Sequence, residues 1–178
     1  MKITHALLGE HGAIRPLLDF IEKTAPDATA EQIRLQVALL QSTLISHASI
    51  EDAVLRPAIE KHLPQSNHAD GKRVPTDHEI IRSGLDEVLA TADGEHARHL
   101  LLTTIATTRK HFEKEEKIIF AIAERELTEQ EQKRLGAEWA ARRCVLLGET
   151  GNRHDFPLLA MPLVPAVESD EIVRLPLA

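Results

Sequence analysis

The sequence predicts an all-α fold: an up-down-up-down four-helix bundle with an additional C-terminal helix and an extended tail. Aromatic residues are scarce, with four Phe, one Trp and no Tyr. Leu, Ile, Ala, Glu and Arg are abundant, a mixture that favours helices over sheets. Apolar residues recur at helical spacing in four long stretches joined by short connections. Four amphipathic helices bury their apolar stripes best by packing as a bundle.

The first two helices are predicted from apolar stripes that end at turn-forming residues. Residues 3–24 are expected to form the first helix, because its stripe stops at Pro26. Residues 29–62 are expected to form the second, with a kink at Pro57, which lacks a backbone donor. Turn formers cluster over residues 64–71 without an apolar period, so this stretch is predicted to be a loop.

Capping signals predict where the later helices begin. Thr76 and Glu79 fit a capping box, in which each side chain satisfies an unpaired amide of the first turn, so a third helix is expected from there. After a short break, a fourth helix is expected to run to about Glu126. Thr128, with a glutamate three residues later, can cap a fifth helix that ends near Gly148.

The chain is expected to hold one folded domain, residues 1–148, followed by a tail over residues 149–178. The tail loses helical periodicity and gains prolines, yet it keeps several large apolar side chains. We expect it to lie extended on the bundle. The alternative is that it binds a partner protein.

Charge and cysteine content narrow the possible partners and the expected compartment. With 21 basic against 28 acidic side chains the formal charge is −7, so nucleic acid is an unfavourable partner. The single Cys144 cannot form an internal disulfide and no secretion signal is recognised at the N-terminus, which makes the cytoplasm the default expectation. The most apolar segment, residues 157–167, is interrupted by prolines and is too short for a membrane span.

Each helix of the predicted bundle carries one histidine on its apolar stripe. A lone histidine in such a place is commonly a packed residue bonded to a backbone carbonyl. One on every helix instead predicts a shared site in the middle of the bundle. These residues are His11, His47, His78 and His111.

Two of these histidines have a glutamate four residues later, in the pairs His47–Glu51 and His111–Glu115. Such a pair lies on one helix face, about 6 Å apart along the axis, so that an imidazole and a carboxylate can close on one ion. The motif is weak by itself, since a chain with ten histidines and many acids will contain such pairs by chance. Its placement on the apolar stripes is what gives it weight.

The two halves of the bundle repeat each other. His11 and His47 are 36 residues apart, and His78 and His111 are 33 residues apart. These two separations differ by less than one helical turn. Two similar hairpins can pack about a pseudo-twofold axis, bringing the histidines and both glutamates to the centre. Two imidazoles would then serve each of two ions, and Glu51 would bridge the ions together with Glu115.

Imidazole with carboxylate suits iron, zinc or manganese, and no thiolate is at hand because Cys144 lies on the fifth helix. Two divalent ions would offset two buried carboxylates that are otherwise costly. The alternative is a bundle that contains buried His–Glu hydrogen bonds and no metal.

At these residues the sequence resembles the hemerythrin family, specifically the bacterial hemerythrin-like proteins with the His-His-Glu cation-binding pattern, over roughly residues 3–126. The resemblance implies a four-helix bundle with an oxo- or hydroxo-bridged di-iron centre that binds oxygen or a similar small ligand such as nitric oxide. It also implies that the four histidines are terminal ligands and that Glu51 and Glu115 are bridging ones.

The sequence departs from the oxygen-carrying members of that family. Carriers have a fifth histidine one turn from the position of His78, where this chain has Val74 and Arg82. They also have an aspartate five residues after the histidine that matches His111, where this chain has Glu115 after four. These differences disfavour reversible oxygen transport and favour sensing, peroxide or nitric oxide chemistry, or labile iron binding.

Other functions stay open at this stage. Ferritin-like oxidases place a glutamate three residues before a histidine, and no histidine of this chain has one. A di-iron oxidase or peroxidase-type enzyme is compatible with vacant coordination positions, although nothing in the sequence marks a substrate pocket. A metal-stabilised protein-interaction module is the third possibility, suggested by the apolar tail.

Charged neighbours of the site allow two interpretations. Asp52 and Glu116 directly follow the two glutamates and either accept a hydrogen bond from an imidazole or belong to a solvated helix flank. Arg15 and Arg82, four residues after His11 and His78, are candidates to pair with such carboxylates.

Overall fold

The computed structural model describes residues 1–63, 75–145 and 147, and this part of the chain is helical without any strand. The all-α prediction is confirmed. Helix α1 spans Ile3–Thr24 and passes into the 3₁₀ turn Ala25–Asp27, where Pro26 ends the α-helical pattern as predicted.

Helix α2 changes its helical geometry several times, whereas the sequence predicted a single kink at Pro57. It runs as an α-helix over Ala30–Ile50, widens into the π-helical turn Glu51–Leu55, and resumes over Arg56–Ile59 before the 3₁₀ turn Glu60–His62. A capping box between Thr29 and Gln32 starts the helix, a signal that sequence reasoning overlooked. Pro57 lies in the first turn of the resumed segment.

The second hairpin follows the same plan. Helix α3 spans Asp77–Ala90 and begins with the predicted capping box of Thr76 and Glu79. Helix α4 runs over Gly94–Lys114, the π-helical turn Glu115–Ile119 and Phe120–Glu126, ending where the sequence predicts.

Helix α5 spans Glu129–Arg142 and begins with the predicted capping box at Thr128. Its predicted end near Gly148 is wrong. The chain leaves helical geometry at Cys144, which has a positive φ of 53°. The amide of Val145 then donates to the carbonyl of Ala140 at 2.8 Å, which closes the helix end.

A close approach lets α5 pack against the start of α1. A β-carbon at Gly136 would collide with the backbone carbonyl of Met1, so only glycine fits there. Leu135, the neighbouring residue, is buried in the apolar cluster described next.

Two apolar clusters fill the bundle, and the candidate site lies between them. On α1, Leu7 belongs to one cluster and Ile14 to the other, with His11 in the turn between. On α2, Leu44 and Ile50 flank His47 in the same way. The polar layer is therefore enclosed by apolar side chains on both sides, and the core itself holds the histidines in place.

Two further observations concern the limits of the fold. Residues Met1–Leu147 form one compact unit. The predicted loop at 64–71, Val74 and the predicted tail at 149–178 lie outside the described residues, so these expectations stay predictions. Within the described helices, none combines the length and the hydropathy that a membrane span requires.

Candidate metal centre

The structure brings all six sequence-predicted residues together in two groups that share both glutamates. Within each group, one nitrogen or oxygen atom per residue lies within 4.8 Å of the others. The buried group consists of His11, His47, Glu51 and Glu115. The cavity-side group consists of Glu51, His78, His111 and Glu115.

The buried group is shielded from solvent. His11 is 0% exposed and His47 is 2% exposed. Their Nε2 atoms lie 3.0 Å apart. His11 Nε2 lies 3.4 Å from Glu115 Oε2, and His47 Nε2 lies 3.4 Å from Glu51 Oε1. The imidazole of His11 also stacks on the ring of Phe112, with 3.9 Å between ring centroids, which limits its rotation.

The cavity-side group uses the remaining carboxylate oxygens. His78 Nε2 lies 3.3 Å from Glu51 Oε2, and His111 Nε2 lies 3.1 Å from Glu115 Oε1. Each glutamate thus presents one oxygen to the buried group and the other to the cavity-side group. This is the arrangement a carboxylate needs in order to bridge two ions.

The site leaves buried polar atoms without partners. Within the described part of the chain, seven buried side-chain nitrogen and oxygen atoms have no hydrogen-bond partner, and five of them lie here. A buried polar atom left unpaired costs about 1–3 kcal/mol, so five in one place need an explanation. Cations at the centre would supply it, and imidazole with carboxylate suits iron, zinc or manganese. The five atoms are Glu51 Oε1 and Oε2, His78 Nε2, His111 Nε2 and Glu115 Oε2.

Each glutamate begins a π-helical turn. The amide of Arg56 donates to the carbonyl of Glu51, and the amide of Phe120 donates to the carbonyl of Glu115, five residues back in both cases. Such turns insert an extra residue into a helix and often occur at functional sites. Sequence reasoning missed them, because no residue type marks a π-turn. The matching positions in the two halves are the only signal.

Every histidine of the site directs its Nδ1 atom at a carboxylate on another helix. A carboxylate in this position fixes the tautomer and the orientation of an imidazole whose Nε2 faces a metal. We call these four residues the outer carboxylates. The Nδ1-to-oxygen distances are 2.8 Å for His11–Glu116, 2.7 Å for His47–Glu10, 3.6 Å for His78–Asp52 and 3.4 Å for His111–Asp77.

These contacts decide between the two interpretations left open by the sequence. Glu116 accepts a hydrogen bond from His11, and Arg15 donates to Glu116 at 2.6 Å. Asp52 lies 3.6 Å from His78, beyond hydrogen-bond distance, and 53% of its side chain is exposed, so it belongs to the solvated flank of the helix. Glu10 and Asp77 were missed. Their signal was present in the repeat, since each directly precedes the first histidine of its half.

Charges within the site shift its titration strongly. Burial lowers the pKa of His47, but the hydrogen bond to Glu10 and the negative charges of Glu51 and Glu10 outweigh this effect and raise the pKa to about 9. Burial also opposes protonation of His78, yet Glu115 and Glu51 raise its pKa to about 10. Although burial acts to raise it, the pKa of Glu51 is held far below its usual range by His47 and His78. Without metal, protons on histidine balance the buried carboxylates.

Two cavities adjoin the site. A cavity of about 30 Å³ is lined by His47, His78, His111 and Phe112 together with apolar residues, and it has room for a water-sized or diatomic ligand. Arg82, at one of the two positions of the absent fifth histidine, also lies in its wall. A larger cavity of about 470 Å³ is lined by every member of the cavity-side group.

Fold and site together define a helical bundle with a buried His/Glu centre suited to cations. Residues 2–123 match the model of the hemerythrin HHE cation-binding domain, and the chain belongs to this family. This range contains all six residues of the two groups, while α5 lies beyond it. Comparison with curated proteins gives no significant match, and comparison with solved structures gives none.

Proposed function

We propose that this protein is a hemerythrin-like, non-haem di-iron protein that binds oxygen or a related small ligand such as nitric oxide or peroxide. Its role would be sensing, redox protection or iron handling. In this proposal the four histidines are terminal ligands, and Glu51 and Glu115 bridge the ions. The observation that carries it is the division of each glutamate's two oxygens between two histidine pairs.

The outer carboxylates, the apolar clusters and a cavity each contribute to this function. The outer carboxylates hold the imidazoles so that each Nε2 faces the centre. The apolar clusters on either side limit the access of water to the buried group. Iron, when bound, supplies the redox chemistry and the open position for a small ligand. The cavity of about 30 Å³ beside His47, His78 and His111 offers room for that ligand.

Metal analysis and an optical spectrum of aerobically purified protein test the proposal. We expect one iron in each of the two groups and near-ultraviolet charge-transfer bands of a bridged ferric pair. A single tightly bound zinc in protein from iron-replete cells would contradict it. Replacing His47 by Leu together with Glu51 by Gln should abolish iron binding and retain helicity.

The matched control for that double variant lies farther along the same helix. His62 lies 3.2 Å from Glu126 and belongs to neither group. His62→Leu combined with Glu60→Gln should leave the iron content unchanged. If both double variants behave alike, the ligand assignment is wrong.

Small-ligand binding is tested separately with azide and oxygen. The chain has an arginine at position 82, one of the two possible positions of the fifth histidine in oxygen carriers, and it has no tyrosine to stabilise bound peroxide. A long-lived oxygenated form is therefore not expected. Azide should shift the visible spectrum of the diferric protein, and the reduced protein should oxidise within about minutes of mixing with aerated buffer. A stable, reversible oxygen adduct would instead indicate transport, and inertness to both reagents would indicate a structural site.

The cavity of about 470 Å³ favours a second candidate, a di-iron oxidase or peroxidase-type enzyme. The cavity is larger than a diatomic ligand requires and reaches His78 and His111 directly. Such an enzyme would consume peroxide with a small organic reductant over many cycles. Absence of turnover by the iron-loaded protein with peroxide and phenolic reductants would exclude this candidate and leave ligand binding.

A further inference from the structure

Helix α5 lies outside the matched domain, yet two of its neighbouring side chains reach the candidate centre. Trp139 lies in the helix, and Arg143 is the residue that caps its end. The indole Nε1–H of Trp139 donates to Glu10 Oε1 at 2.8 Å, and Nε–H of Arg143 donates to the same oxygen at 2.6 Å. Glu10 Oε2 accepts from Nδ1–H of His47 at 2.7 Å.

Both oxygens of the Glu10 carboxylate are therefore occupied, one by α5 and one by the imidazole. Donors on both sides fix the plane of the carboxylate, so the direction offered to His47 is fixed as well. Burial raises the pKa of Glu10, but the hydrogen bonds from His47, Arg143 and Trp139 outweigh it and lower the pKa to about 2. The carboxylate is thus a permanent anion at neutral pH.

Arg143 makes a second tie to the same ligand. Its guanidinium donates to the backbone carbonyl of Ser46 at 3.1 Å and to the Ser46 hydroxyl. Ser46 directly precedes His47 in α2. Arg143 therefore holds both the backbone beside His47 and, through Glu10, the ring of His47.

The other outer carboxylates have simpler surroundings. Asp77 accepts from the exposed Lys114 ammonium at 2.7 Å, and Asp52 lies 3.7 Å from the exposed Arg56. Both of these basic residues belong to the bundle helices themselves. Among the contacts of the described residues, Glu10 is the one outer carboxylate tied to a helix beyond the family's matched range.

We propose that α5 is a positioning element of the metal centre: Trp139 and Arg143 orient Glu10, and Glu10 orients the imidazole of His47 toward its ion. This inference rests on the proposed metal-binding function. It assigns a role to the part of the chain that follows the family domain. It also makes Trp139, the single tryptophan of the chain, a reporter of the state of the buried group.

Release of iron to a chelator from the loaded protein tests the proposal. Outer partners of metal-bound histidines typically change affinity by roughly 10- to 100-fold, so Glu10→Gln and Arg143→Met should speed the release of one of the two ions by about that factor. Arg143→Lys should restore part of the retention, because it keeps one donor and the charge. Trp139→Phe keeps most of the packing and should give a smaller acceleration in the same phase.

The matched control is Arg142→Met, which removes an exposed cation of α5 that pairs with Glu138 at 2.9 Å. It should release iron like the unaltered protein. A second readout is the change in Trp139 fluorescence when Zn²⁺ binds, because Zn²⁺ has no redox chemistry that would quench the indole. This fluorescence change should be clear in the unaltered protein and absent in Glu10→Gln.

The outcomes separate this inference from the proposed function. If the unaltered protein binds two irons and the variants at positions 10, 139 and 143 all release iron like Arg142→Met, the positioning role is wrong and the proposed function stands. If the unaltered protein binds no transition metal, both are wrong. Metal-free helicity and melting temperature, measured on each variant, distinguish a faster release from a misfolded protein.

Discussion

The buried group and the cavity-side group use the same residue types at matching positions, but their surroundings differ. His11 and His47 line no part of the 470 Å³ cavity, whereas His78 and His111 both do. The distances from histidine Nδ1 to the outer carboxylates are 2.8 and 2.7 Å in the buried group and 3.6 and 3.4 Å in the cavity-side group. The internal repeat thus gives both groups the same residue types, and the surroundings of the matching positions make the two groups unequal.

The difference has a direct consequence for how the centre would work. A tightly enclosed imidazole pair with close outer carboxylates favours retention of its ion. A pair that faces a cavity favours exchange and ligand entry. We therefore expect an ion at the buried group to be retained and an ion at the cavity-side group to exchange and react.

The largest expected effect comes from a residue that the two groups share. Glu115 presents an oxygen to each group, so Glu115→Leu should remove iron from both. Iron per chain, measured by elemental analysis, should fall from two to near zero, while the far-ultraviolet circular dichroism of the helices is retained. Retention of one iron would mean that Glu115 serves a single group and that the bridging assignment is wrong.

Removing a histidine should separate the groups. His78→Ala should empty only the cavity-side group, because His78 lies with Glu51 and Glu115 there and takes no part in the buried group. Release of iron from the unaltered protein to a chelator should be biphasic, and the variant should lack the faster phase. Loss of the slower phase instead would mean that the cavity-side group retains its ion more tightly than the buried group.

The dependence on pH follows from one raised histidine pKa in each group. Without metal, the pKa of His47 is raised to about 9 and that of His78 to about 10, so both are protonated at neutral pH. An ion must displace these protons, and each displaced proton raises the apparent affinity about tenfold per pH unit until the pKa is reached. Zn²⁺ affinity should therefore increase from pH 6 to pH 8, and protons should be released on binding.

The same shifts predict the stability of the metal-free protein. Both folded-state pKa values lie above the ordinary value of 6.5, so the protonated histidines stabilise the fold fully below that pH. This contribution is lost as pH rises through about 9 to 10. The melting temperature of metal-free protein should fall between pH 6.5 and 10, and the metal-loaded protein should show a smaller fall. Equal pH dependence would show that the histidines do not exchange protons for metal.

Much of the fold was predictable because the signals are local. The apolar stripes predicted the helices, and four-residue capping patterns that begin at Thr76 and Thr128 predicted where two of them start. The end of α5 was misplaced because it depends on the positive φ of Cys144, a residue type that does not mark a left-handed conformation. Both π-turns were missed for a similar reason, since they belong to backbone geometry and to no particular side chain.

The six residues of the two groups were predictable because they repeat with helical spacing on buried faces. The outer contacts were harder to predict, because their partners are distant in sequence and meet only in the folded chain. Glu10 and Arg143 are 133 residues apart, and nothing near either residue indicates the other. Asp77 and Glu10 could have been found from the repeat alone, by asking which acidic residues precede matching histidines.

The smallest expected effect compares two arginines that hold outer carboxylates of the buried group. Arg15 donates to the same Glu116 oxygen that faces His11, so the other oxygen of Glu116 receives nothing from either residue. Arg15 is also partly exposed, at 36% of its side chain, and exposed ion pairs contribute only about 0–1 kcal/mol. Arg143, in contrast, shares Glu10 with Trp139 and also donates to Ser46.

Arg15→Met should therefore change the rate of iron release by less than about fivefold, which corresponds to an energy of about 0–1 kcal/mol. Release should be measured beside Arg143→Met in the same buffer, at low and at high salt. If Arg15→Met has the larger effect, His11 and its outer carboxylate govern retention at the buried group, and the contribution assigned to α5 is secondary.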